Sequence, residues 1–145
     1  MKTARVTGPF CHELAIMVVL ARWPALVHGR DFFIGQAVDE SRDPIGEPMF
    51  ISWNVQDIPR PEMAELASEF AADESRYRAA LARRVRNSML AWSDAKAIRP
   101  GDAPDTFLHD GNPWIAWRQA LRDIPQQPGF PFDIDWPGRP DGGPF

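Results

Sequence analysis

Apolar residues fall at Met63, Leu66, Ala67, Phe70, Tyr77, Leu81, Val85, Met89 and Trp92, each three, four or seven from another of the set. That spacing traces one stripe of an α-helix. Residues 62–99 hold neither proline nor glycine, although both are dense on either side. Pro59, Pro61, Pro100 and Gly101 stand where start and stop signals belong. Glu62, Glu65, Glu69, Asp73 and Glu74 precede Arg76, Arg78, Arg83, Arg84 and Arg86, an order that suits the helix dipole. One unbroken helix here would run roughly 57 Å at 1.5 Å per residue, more than a globule of 145 residues can cover. Two solutions follow. Either the helix breaks near Ala72–Ser75, with Asp73 capping a second helix, or it projects and packs against a partner. The second makes residues 62–99 a route to a homo-oligomer or a helix bundle.

The flanking segments follow a different period. Phe32, Ile34, Gln36 and Val38 would share one face of a strand, and Phe33, Gly35 and Ala37 the other; Met49, Ile51 and Trp53 would share a face of a second. The polar link 40–47, with Pro44 and Gly46, makes these a hairpin with a long loop. Lys2–Thr7 and Ala25–His28 read as further short strands, and Glu13–Ala21 fits a strand or a short helix. Near the other end, Asn112 and Pro113 are a cap and a first position for a helix over 114–124. Pro125 and Pro128 prevent its continuation. From Gly129, the residues Phe130, Phe132, Ile134 and Trp136 alternate with Pro131, Asp133 and Asp135, which reads as an extended arm with one apolar edge. The whole predicts an α+β protein: a β-rich domain over 1–59, a central helical segment over 60–99, and a C-terminal helix with a proline/aromatic arm over 100–145.

Composition narrows the function. Fifteen prolines and six tryptophans against one tyrosine describe extended segments pinned by large rings, not a disordered tail. A formal net charge of −4 removes a global nucleic-acid footprint. Within the arginine cluster 76–86, the interleaved apolar stripe favours a solvated helix face over a nucleic-acid surface. The lone Cys11 excludes an intrachain disulfide framework and a cysteine zinc cluster. The apolar run Leu14–Ala21 falls far short of the about 20 residues that cross a membrane, so the expectation is a cytoplasmic protein without a membrane partner.

No catalytic constellation stands out. Cys11 and His12 would face opposite sides of a strand, and His28 and His109 lack ligands at fixed spacing. Gly-rich phosphate loops, G-x-S-x-G and H-E-x-x-H are absent from the sequence. The expectation is therefore no enzyme, no catalytic residues, no metal and no cofactor.

Residues 114–140 carry the most specific pattern. Trp117 is followed by Arg118, Gln119, Ala120, Leu121, Arg122, Asp123, Ile124 and Pro125, then Gly129, Phe130, Pro131, and finally Trp136, Pro137 and Pro140. This stretch resembles the C-terminal signature of phage tail fibre assembly proteins, also called tail assembly chaperones. Arg86, Leu90, Ser93 and Asp94 match the family's upstream spacing, but Ala95 stands where it has a tryptophan, and Trp92 lies three residues earlier. The resemblance implies a helper that binds the receptor-binding tail fibre and assists its folding, trimerisation or attachment. It would act in the host cytoplasm during assembly, or remain in the virion tail as a permanent component such as a fibre adaptor or cap.

Within this stretch each residue carries two readings. Trp117, Leu121, Phe130, Ile134 and Trp136 form a small aromatic core, or the rings of the arm, with Phe132, anchor on the fibre. Trp114, at the helix start, is the ring least expected to be buried. Arg118 and Arg122 lie four apart; one ties the short helix to the end of the long one through Asp94, or both face an acidic patch on the fibre. The packing readings are favoured.

Overall fold

The computed structural model describes residues 4–40, 43–97 and 112–143. The chain is α+β, as its pattern predicts, and forms two compact units, Lys2–Leu81 and Ala82–Phe145. The elements are α1 (Ala4–Thr7), α2 (His12–Arg22), β1 (Phe32–Val38), β2 (Pro44–Trp53), α3 (Met63–Ala72), α4 (Glu74–Trp92), α5 (Asp94–Ala97) and α6 (Pro113–Asp123), with a 3-10 turn at Ile124–Gln126. The boundary between the units falls inside α4.

The ambiguity at Glu13–Ala21 resolves as helix. In α2, Leu14 and Val18, and Ala15 and Val19, lie one turn apart and are wholly buried. The end of the expected strand over 2–7 is helical instead, in α1. Ala25–His28 is not a strand; it contributes one bridge, His28 to Phe32.

β1 and β2 pair antiparallel as the only sheet among the described residues. β2 starts at Pro44, so the loop is shorter than the polar link suggests. Its faces also differ from the alternation expected for Met49, Ile51 and Trp53. Phe33 sits opposite Ser52, and the next residue, Ile34, sits opposite Phe50. Ile51 is thus an extra residue, a β-bulge. The bulge resets the alternation and puts Phe50 and Trp53 on one face, ring centroids 5.5 Å apart. There Trp53 also meets Phe32 at 5.9 Å and Trp23 at 5.8 Å. Met49 and Ile51 point outward, 57% and 61% exposed.

The central helix is broken, at Asp73 and again at Ser93. Asp73 takes φ −141°, ends α3, and accepts the Tyr77 N–H on its carbonyl. The stripe is buried at Leu66, Phe70, Tyr77 and Leu81, but only half-buried at Val85 and Met89, and Trp92 is exposed. Arg22 of α2 reaches Glu69 of α3 at 2.6 Å. One member of the arginine cluster departs from the solvated-face reading. Arg78 is 6% exposed and donates to the carbonyls of Val6 and Gly8 and to Glu74, with its guanidinium over Phe70. It anchors the turn after α1.

Candidate functional site

The C-terminal signature begins at Asn112, whose side chain accepts the Trp114 N–H at 2.9 Å, with Pro113 in the first turn of α6. That cap fixes where the helix starts, and hence which residues face inward. Trp117 and Leu121 lie on the inner stripe, with Ile124 in the turn that follows; all three are buried.

Beyond α6 the chain does not extend at once. Residues 128–132 turn, and residues 134–139 have no regular secondary structure. The alternation of rings from Phe130 to Trp136 therefore does not form one apolar edge. Gly129 makes the turn possible: its carbonyl accepts the N–H groups of Phe132 and Asp133, and a β-carbon there would sit 2.4 Å from the Asp133 carbonyl oxygen. No residue other than glycine fits without moving the backbone. The run after the turn is held by two clamps. Gln127 pairs with the backbone of Asp135 at 2.8 and 2.9 Å, and the Trp117 indole N–H donates to the Pro137 carbonyl at 2.9 Å.

Arg118 joins α6 to the end of α4. It donates to the Leu90 carbonyl at 2.5 Å, the Ser93 hydroxyl at 2.7 Å and the Asp94 carboxylate at 2.7 Å. Ser93 is fully buried. The expected Arg–Asp tie thus exists, but it also engages a serine and a carbonyl that residue spacing alone does not reveal. Arg122, one turn on, is exposed.

Ala95 carries no ring, but Trp92, three residues earlier, packs within the C-terminal unit. Trp92 lies 5.7 Å from Trp114, which lies 5.5 Å from Trp117. Lys96 sits over both Trp92 and Trp114, and Arg139 stacks on Trp92 at 4.3 Å while pairing with Asp141. Phe130 is half-buried, with Arg83 over its ring at 5.3 Å. Phe132 is 52% exposed, and Trp136 is half-buried with its indole N–H shielded and without an acceptor among the described residues.

Residues 79–141 match the model of a family described as phage tail assembly chaperone protein. This region is similar to the phage tail assembly chaperone family. The matched region begins inside α4, close to the unit boundary, and takes in every clamp just described. Residues 15–78 match a second family model, described as XkdW protein. No curated protein and no solved structure matches the chain.

Two features could suggest chemistry elsewhere. Cys11 and His12 lie at the start of α2, not on a strand. The Cys11 thiol is buried and its pKa is raised to about 11, first by desolvation, so it is protonated at neutral pH and a poor nucleophile. No group of three metal-ligating side chains occurs among the described residues. A groove in the N-terminal unit is lined by Pro9, Phe10, Gly46, Pro48, Met63 and Ala67, with Glu47 as its one carboxylate. No helix among the described residues is long and apolar enough to cross a membrane.

Proposed function

We propose that the protein is a tail fibre assembly chaperone, acting in the host cell by binding the receptor-binding fibre while it folds and trimerises. The observation that carries this reading is the match of residues 79–141 to the tail assembly chaperone family. The physical need is clear. Fibres built from intertwined strands have high contact order, fold slowly and expose strand edges, and a protein that covers them until the chains meet suppresses aggregation. The chain works by binding, not by catalysis, and needs no cofactor. Co-expression of the fibre protein of the same phage with this chain should raise the yield of soluble trimer. Equal yield without it would refute the reading.

The alternative, a permanent tail component joined through residues 62–99, takes second place. Much of the apolar stripe that would build such a bundle, Leu66, Phe70, Tyr77 and Leu81, is already buried. Mass spectrometry of purified particles separates the two: stoichiometric copies support the component, and absence eliminates it.

A further inference from the structure

The residues with the strongest family signature are mostly spent on one another. Nine large apolar side chains are exposed among the described residues, and six of them fall between Val27 and Ile51. Four form one surface. Phe33, Ile45, Met49 and Ile51 lie on the outer face of the β1–β2 hairpin, 44%, 48%, 57% and 61% exposed. Gly35 is the floor between them: a β-carbon there would meet the Ile51 side chain at 3.3 Å. The bulge at Ile51 creates this surface by turning Met49 and Ile51 away from the core. Apolar patches of about this kind on a folded chain mark interaction sites.

The hairpin favours docking on its face over strand addition at its edge. The N–H of Ile34 is taken by the His28 ring, and the Phe32 carbonyl by the Gly29 N–H. Pro44 and Pro48 remove two donors from β2. Charge then selects the occupant. Among the described residues, Asp39, Glu40 and Asp43 stand at the tip of the hairpin, and Glu47 follows in β2. A second copy would bring the same acidic tip and the same net charge of −4. A partner with cations beside its apolar residues neutralises the tip instead.

We propose that the outer face of this hairpin is the docking surface for the client, taking an apolar segment of the fibre protein flanked by Lys or Arg that meet the acidic tip. The proposal rests on the fibre-chaperone reading and adds the surface and the chemistry of what it holds. The test uses the full chain co-expressed with the tagged fibre protein of the same phage, with the co-purified chain quantified. Met49→Asp and Ile51→Asp should each lower recovery at least tenfold, with the far-UV dichroism and unfolding midpoint kept. Glu40→Lys combined with Glu47→Lys should lower it severalfold without touching the apolar surface. Phe132→Asp, on the C-terminal turn, should leave it unchanged. Equal recovery of M49D, I51D and the unaltered chain overturns the docking surface alone. Loss in F132D with M49D retained moves the site to the C-terminal turn and overturns it as well. No recovery of the unaltered chain overturns the fibre reading and the proposal with it. Sedimentation that shows a dimer split by I51D assigns the face to a second copy and also refutes the proposal.

Discussion

Replacing Arg118 by alanine tests the most heavily shared side chain of the C-terminal unit. The guanidinium makes three bonds, two of them to the half-buried Leu90 carbonyl and the fully buried Ser93 hydroxyl. Hydrogen bonds to a charged partner contribute about 1.5–3 kcal/mol each. Ser93 keeps its own bond to the Leu90 carbonyl at 3.0 Å, which lessens the loss. The third partner, Asp94, is 47% exposed and rehydrates when abandoned, so that ion pair adds less than about 1 kcal/mol. The expected cost of Arg118→Ala is about 3 kcal/mol, and that of Asp94→Asn about 0.5 kcal/mol. Arg118→Lys should fall between, because an ammonium lacks the planar fork that spans three acceptors. Trp92, Trp114, Trp117 and Trp136 all lie in the C-terminal unit, so urea unfolding followed by tryptophan fluorescence reads the transition. A loss below about 0.5 kcal/mol for R118A, or a loss in D94N as large as in R118A, would show that the buried bonds are not what holds α6 to the end of α4.

Other consequences are equally open to measurement. Gly129→Ala drives a β-carbon into backbone, and should cost about 2 kcal/mol or more in the urea midpoint; Gly138→Ala, with open space around it, should stay within about 0.5 kcal/mol. Trp117→Phe should cost about 1 kcal/mol for the lost bond to Pro137, whereas Trp136→Phe deletes a shielded donor that has no acceptor among the described residues and should be neutral or stabilising. The raised Cys11 pKa sets a sign for pH. Below about pH 9 the thiol is protonated in folded and unfolded chains alike; between about 9 and 11 only the unfolded chain ionises, so stability falls across that window by on the order of 2 kcal/mol. Cys11→Ala should remove that slope from a series of urea titrations, and an unchanged slope would assign it to other groups.

The elements that sequence reading placed well are those set by local signals. Asn112–Pro113 starts α6 because the cap and the fixed φ act within one turn. The absence of proline and glycine over 62–99 marked the helical region, but the choice between a break and a projection depended on burial further along the chain. The faces of the hairpin were misread because one bulged residue, Ile51, shifts the alternation of everything before it in β2. Arg78 looked like one more solvated arginine. Its role arises from carbonyls about seventy residues away, which no spacing rule reaches. At the candidate site, Trp117, Leu121 and the Arg118–Asp94 tie were legible from helical periodicity. The turn at Gly129 was not, because alternating rings mimic a strand while a backbone approach of 2.4 Å forbids any side chain there.

The bond from Arg118 to Leu90 bears on events at the ribosome. The last turn of α4 has its carbonyl and its terminal serine held by a side chain that follows Asp94 by 24 residues. At 5–20 residues per second, translation delivers that side chain about 1–5 s after α5 begins. During that interval α4 has emerged without its tertiary stop, and its final turn is free to fray or to extend. The end of the helix is thus a late decision of the nascent chain, taken only when Arg118 has been made.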